Sequence, residues 1–447
     1  MIATYIIREI FNINIIKKKL EKCYIITISS KVVPDEKIRL IVNTDYRDKE
    51  FLDLIRDITD EAIKTNPLYN ELVKKEEFNS DDVNKLEDLA IIPYIPAVFF
   101  KQSVRKFEKL LKISVKSPEF KTWNVSSCTT GDPSLVGRSI DDIEFLASMT
   151  IKCIYEFIPI PMEEHNQYKT ISMNFAPNVK FLNRIAMRYT DLRPVSLYTS
   201  TLNEITTKIT KPKYLIKFFI LKAFKEIIKK RSLVGAFGIN SKHVIKTINK
   251  NSKKPIDKQK NISIGGSLQL LNTFMNNYLK EANIKFDLPN CYVTTGGGGW
   301  SGHKSQLKYP PIEKTKFVSD CVEFFGTKAE NIRDMYGFTE TPIVFGSHWS
   351  EKYQDFIFHC PPQARIIVRD INTLDPLNKD GDQGFLEVLT PFGVAASVNH
   401  AIVVDDLVEL VSKRRCPECQ YEGDAFLVQG RIKDKEGLGC SSTVEWI

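Results

Sequence analysis

The chain has 447 residues, 43% of them hydrophobic and 26% charged. That balance is ordinary for a globular protein with a large core in two or three packed subdomains, and it excludes a chain disordered throughout. Arg8 and Glu9 break the apolar run from Met1 to Ile16 and no other stretch reaches about 18 apolar residues, so a spanning helix is excluded too. Nine cysteines are an odd number without framework spacing, and with no signal-peptide pattern the expectation is a reduced, cytoplasmic protein.

Residues 1–45 read as an N-terminal appendage, in which the β-branched runs Tyr24–Ser29 and Ile38–Val42 pair as strands around a turn at Pro34. Leu54, Ile55, Ile58 and Ala62 recur at helical spacing and predict an amphipathic helix over Phe51–Ile63. Ser80, with Asp81 and Asp82, predicts the cap of another short helix. The two prolines in Ile91–Lys101 argue for a buried extended crossing. From about 120 to 400, β-rich runs (Tyr168–Met173, Cys291–Thr295, Ala364–Val368, Phe385–Leu389) alternate with helical patterns (Asp141–Tyr155, Ser267–Glu281, Ser319–Thr327). That order predicts an α/β protein with helices on sheets.

The +8 net charge is unevenly placed. Thr206–Lys260 holds sixteen Lys/Arg against two acids, Glu226 and Asp257, a local +14 that leaves −6 elsewhere. Tyr214–Ile228 is apolar at helical spacing with lysines between, and Lys242–Lys260 reads as a loop. This basic insertion, 206–260, is either a solvated surface or a docking face for an acidic partner, such as a carrier protein, acyl reductase or transferase, another anionic protein or a membrane face. No nucleic-acid recognition motif accompanies it.

Two short strings point to chemistry. Ser126-Ser-Cys-Thr-Thr-Gly-Asp-Pro-Ser134 is a run of hydroxyls closed by glycine. It suits Ser126, Ser127, Thr129 and Thr130 and the backbone at Gly131 wrapped around a polyphosphate, and it is also turn composition. Tyr336-Gly-Phe-Thr-Glu340 sets an aromatic ring, a hydroxyl and a carboxylate within five residues, fit for stacking on a base, bonding a phosphate and holding Mg²⁺. Four glycines beginning at Gly296, among them Gly297 and Gly298, follow a β-run, and such a run makes sense where backbone lies flat against a ligand, here adenine. His303 beside it is a base, an orienting donor or a structural histidine. Asp405 and Asp406 sit in an apolar strand where a carboxylate can grip both ribose hydroxyls, and Arg431 follows the apolar run Ala425–Val428. Cys416-Pro-Glu-Cys419 is half a zinc site whose nearest upstream candidates are His359 and Cys360, so two free thiols in a turn are the expectation.

In this order and separation the strings resemble the adenylate-forming superfamily. The closest resemblance is to the LuxE-type acyl-protein synthetases, through Pro-Ala-Val-Phe-Phe-Lys at 96–101, a phosphate loop ending in Pro-Ser, Gly-Gly-Gly-Trp at 297–300, Asp405-Asp406-Leu407 and Gly439-Cys440-Ser441. Two positions depart from the superfamily's loop, Cys128 for a glycine and Ser134 for a lysine. The resemblance implies an adenylate-forming α/β catalytic domain over 46–430 with layered sheets and helices, and a short tail, 431–447, in place of the mobile domain of about a hundred residues in other members. It implies ATP and Mg²⁺ as cofactors, with Tyr336 on adenine, Thr339 near the α-phosphate as a catalytic residue, Glu340 on the metal, Asp406 on the ribose and Arg431 on ribose or phosphates. It further implies activation of a carboxylic acid, a fatty acid in that family, and transfer to Cys440 as a thioester. The alternatives are an acyl-CoA or acyl-carrier ligase with Cys440 uninvolved, and a catalytically degenerate partner-binding subunit.

Overall fold

The computed structural model describes residues 36–101, 103–125, 134–157, 170–175, 195–198, 241–282, 284–301, 303–304, 307–308 and 310–431. Helix α1 (Glu36–Asn43) buries Ile38 and Val42, one turn apart, in the main core. This corrects the strand expected over Ile38–Val42: an apolar face at i, i+4 spacing outweighs β-branched propensity. It also brings residues ahead of the expected boundary at 46 into the core. Helix α2 (Asp48–Thr65) turns Phe51, Leu52, Ile55, Thr59 and Ala62 inward. Helix α3 (Pro67–Lys75) opens on proline at its first position, behind Asn66, whose side-chain oxygen accepts from the Tyr69 amide at 2.9 Å. Ser80–Asp82 is itself a single 3₁₀ turn, capped by Asn79. The expected extended crossing shortens to β1 (Ile95–Pro96), bracketed by 3₁₀ turns at Leu86–Ile91 and Ala97–Phe100.

Strands β2 (Phe120–Val125) and β3 (Leu135–Ser139) form an antiparallel pair. Helix α4 (Ile140–Glu156) follows at once, and Ser139 and Asp142 close its first turn by reciprocal side-chain–amide bonds of 2.9 and 3.0 Å. Then come β4 (Thr170–Phe175), β5 (Val195–Tyr198), α5 (Ser241–Ser252), β6 (Asn261–Ser267), α6 (Leu268–Ala282), β7 (Cys291–Gly296), the short pair β8 (His303–Lys304) and β9 (Leu307–Lys308), and α7 (Lys314–Phe325). The last segment runs through β10 (Ile332–Gly337), β11 (Val344–Ser350), β12 (Asp355–His359), β13 (Arg365–Arg369), β14 (Pro376–Leu377), β15 (Gln383–Leu389), β16 (Ala401–Ser412) and β17 (Ala425–Arg431). Helix α5 corrects the first part of the loop expected over Lys242–Lys260: Val244, Ile248 and Asn251 share one buried face, and Lys246 and Lys250 are exposed. Residues 253–260 follow as an irregular stretch with one 3₁₀ turn at Ile256–Lys258, and 206–240 of the basic insertion lies outside the described residues.

Thirteen of the described strands make one sheet in the order β14-β13-β15-β16-β17-β12-β11-β10-β7-β6-β4-β5, with β1 beside β16. From β5 to β10 the pairing is parallel, as βαβ connections through α6 and α7 require. β7 is buried along Cys291–Thr295, the mark of a strand covered on both faces. From β10 to β14 the pairing is antiparallel. No helix among the described residues is long and apolar enough to cross a membrane.

Candidate active site

The parallel strands end level with one another. Ser267 of β6 pairs with Gly296 of β7, and Gly296 pairs with Met335 of β10. The carboxyl end of a parallel sheet is where open α/β folds bind ligands, because loops and helix starts converge there. Here it carries the glycine run and, one residue past Met335, Tyr336. The chain turns through left-handed conformations at Gly297 (φ 77°), Gly298 (φ 65°) and Gly299 (φ 100°), which only glycine adopts without strain. A Cβ on Gly299 would run into the Gln269 side chain, whose amide donates to the Gly299 carbonyl at 3.0 Å, whereas a Cβ on Gly298 would meet nothing within 4 Å. The loop is therefore packed on one side and open on the other.

One buried carboxylate holds both ends of this loop. Asp334 of β10 accepts from Thr295 Oγ1 at 2.8 Å through one oxygen and from Trp300 Nε1 at 2.9 Å through the other. Burial raises its pKa and these two donors oppose the rise. Two residues on, the Tyr336 hydroxyl donates to Asp406 Oδ2 at 2.6 Å, the short length of a bond to a charged acceptor. The Tyr336 ring stands among Phe338, Phe345, Phe358 and Phe426, and Asp406 faces Arg431 across β16 and β17. The base-stacking and ribose candidates are thus in contact, and the arginine candidate is their strand neighbour.

The segment after Tyr336 is fixed from two sides. Arg138, fully buried in β3, donates to the Thr339 carbonyl at 2.9 Å and the Gly393 carbonyl at 3.0 Å. Asn399 donates to the Glu340 carbonyl at 2.8 Å. Burial lowers the Arg138 pKa to about 10, with Asp142 and Glu340 opposing, so it stays a cation at neutral pH. β3 is also the strand leaving the 126–133 segment, and Ser134 bridges to Lys101. Arg138 therefore ties the base of the candidate phosphate loop to the turn carrying Thr339 and Glu340. Glu340 is 6% exposed, and its carboxylate is the one metal candidate in this segment.

Ser126, Ser127, Cys128, Thr129, Thr130 and Gly131 lie outside the described residues, as do Cys440, the tail after 431, and the side chains of Arg431 and His303. Gly296, Gly297, Gly298, Tyr336, Thr339, Glu340 and Asp406 converge on the end of the parallel strands. Asp334, Arg138, Asn399 and Gln269 were not singled out in the sequence; each acts through a contact made far along the chain. The CxxC is a turn of free thiols, yet it does not stand alone: His359 and also His348 reach it, whereas Cys360 does not.

The family model for the acyl-protein synthetase LuxE matches residues 39–446, nearly the whole chain. The chain belongs to the LuxE acyl-protein synthetase family. None of the curated proteins matches this LuxE-family chain. Among solved structures it is similar to 2-hydroxyisobutyryl-CoA ligase in an open conformation with 2-HIB-AMP and CoA, at TM-score 0.56 and 12% identity, over 87% of this chain and 70% of that one. The same ligase in its postadenylation state with 2-HIB-AMP gives TM-score 0.56 and 12% identity over 87% and 68%. In its thioesterification state the values are 0.54 and 14% over 87% and 69%. The LuxE-family chain therefore has the fold of adenylate-forming ligases.

Proposed function

We propose that this LuxE-family protein activates a carboxylic acid, a fatty acid, with ATP and then carries the acyl group on Cys440. A carboxylate oxygen attacks the α-phosphorus of ATP; the bond to the bridging oxygen breaks, and pyrophosphate leaves with that electron pair. The Cys440 thiolate then attacks the acyl carbonyl, the carbon–oxygen bond to AMP breaks, and AMP leaves with the carboxylate oxygen. The observation that carries this reading is the Tyr336–Asp406 bond of 2.6 Å beside the glycine loop. An aromatic face, a carboxylate able to accept from a diol and a bare backbone at one end of the sheet are the three surfaces an adenosine needs, which supports this reading.

In this reading adenine lies against Gly296–Gly298 and Tyr336, the ribose hydroxyls donate to Asp406, and the triphosphate enters the 126–131 loop beside Thr339. Glu340 would hold Mg²⁺, which would offset phosphate charge in place of the lysine that Ser134 replaces. Buried Arg138 adds a fixed positive charge behind the same turn. The test is incubation of the purified protein with ATP, Mg²⁺ and radiolabelled fatty acid, followed by denaturing electrophoresis. Label that stays with the wild-type chain, leaves with hydroxylamine and is missing in Cys440→Ala supports the thioester. AMP release that needs added CoA or carrier protein, undiminished in Cys440→Ala, moves the acceptor to a separate thiol.

A further inference from the structure

Far from the adenosine site, four side chains from three places in the sequence converge. His348 of β11, His359 of β12, and Cys416 and Cys419 of the β16–β17 turn bring one ligand atom each to within 4.8 Å of one another. The adjoining strands place the imidazoles side by side: β11 and β12 pair antiparallel with Gly346 opposite His359, and His348 Nδ1 lies 3.2 Å from His359 Nε2. His359 Nε2 in turn lies 2.9 Å from the Cys419 sulfur. Ligands at about 2.0–2.1 Å (nitrogen) and 2.3 Å (sulfur) around a tetrahedral ion stand about 3.3–3.8 Å apart, so the observed separations bracket the required ones. We propose that this His₂Cys₂ cluster is a structural zinc site.

The surroundings are those of a built ligand set. The imidazole edge of His348 that faces away from the cluster, Nε2, is 3.4 Å from Glu418 Oε2, and Ser350 donates to the other Glu418 oxygen at 2.7 Å. That carboxylate fixes the ring with Nδ1 inward, the usual outer partner of a ligating histidine. The backbone amides of Glu418 and Cys419 lie toward the Cys416 sulfur, and that of Tyr421 toward the Cys419 sulfur. His359 is 1% exposed and packed against Phe157 and Tyr421. Two thiolates and two imidazoles cancel the charge of Zn²⁺ with four protein ligands and no open position, which marks a structural site. Exposed Cys419 leaves a path for the ion. Asp406 is six residues up β16 from Ser412, about 20 Å at ~3.3 Å per residue, so the ion would staple the β16–β17 turn to the β11–β12 hairpin without touching the nucleotide.

The full chain, produced in zinc-supplemented medium and gel-filtered into metal-free reducing buffer, should retain about one zinc per chain by mass spectrometry of the metal. X-ray absorption at the zinc edge should show two sulfurs at about 2.3 Å and two nitrogens at about 2.0–2.1 Å. Cys416→Ser and Cys419→Ser should lose at least nine-tenths of the zinc, roughly the tenfold or more expected when a ligand is lost, and Cys360→Ser should keep it. If the ligand variants do not fold, the wild-type absorption spectrum decides alone, and a shell without two sulfurs overturns the site. So does wild-type protein with under about a tenth of an equivalent that reduced protein and added zinc do not raise, whether or not Cys416 and Cys419 are found as a disulfide.

Discussion

Replacing Gly298 by alanine separates a ligand-facing glycine from one that merely turns the chain. In the structure a Cβ there meets nothing within 4 Å, and φ is +65°. The folded protein therefore bears only the strain of a left-handed alanine, about 1–2 kcal/mol. Gly381, in the β14–β15 connection, is the matched control: φ is +88° and its Cβ would also meet nothing. Both variants should lose the same modest stability in urea titrations. If adenine lies on the glycine loop, the added methyl overlaps it, and overpacking by one methyl costs about 1–3 kcal/mol. That corresponds to a roughly 5- to 150-fold rise in the KM for ATP in Gly298→Ala and none in Gly381→Ala. Steady-state pyrophosphate exchange over a range of ATP concentrations measures both. Equal KM values in the two variants, with equal stability, would refute the placement of the nucleotide against this loop.

Tyr336→Phe keeps the ring among its aromatic neighbours and deletes a half-buried bond to a carboxylate, so the KM for ATP should rise about 5- to 30-fold, for about 1–2 kcal/mol, with stability almost unchanged; a KM within twofold of wild type contradicts an orienting role for this hydroxyl. Arg138→Met removes two bonds from a buried cation and strands two carbonyls, about 3–5 kcal/mol by the worth of charged hydrogen bonds, so the urea midpoint should fall sharply; a midpoint close to wild type contradicts it. Burial holds His400 neutral, with its pKa lowered to about 3, and its Nε2 lies 3.1 Å from the Tyr69 hydroxyl. Unfolded, it protonates near 6.5, so its contribution is present above pH 6.5 and is lost as pH falls, about 2 kcal/mol by pH 5. His400→Gln should lose less stability than wild type between pH 7 and pH 5, and an identical loss refutes the assignment.

Much of the fold was legible because the buried strands announce themselves. Cys291–Gly296, Gln383–Leu389 and Ala401–Ser412 are apolar runs whose burial depends on local pattern. Helix α5 was hidden because its lysines set the composition while Val244, Ile248 and Asn251 carry the buried face. In the site, residues within one short string were readable together, as in Tyr336–Glu340. Asp334 was not, because its meaning lies in Thr295 and Trp300, both more than thirty residues away. His348 escaped notice for the same reason, and His359 was legible only as a distant candidate: the two are neighbours across strands, and only strand register reveals that both face Cys416-x-x-Cys419. Arg138 reads as an ordinary surface cation until the hairpin carries it into the core.

The most direct test of the central claim is ATP–pyrophosphate exchange by the purified protein across a panel of fatty, aryl and amino acids. Formation of an acyl-adenylate predicts acid-dependent exchange that is strongest with one class of acid, retained in Cys440→Ala and lost on substitution of Asp406 by alanine. ATP binding without exchange for any acid would contradict acid activation and leave a nucleotide-binding protein that does not turn over.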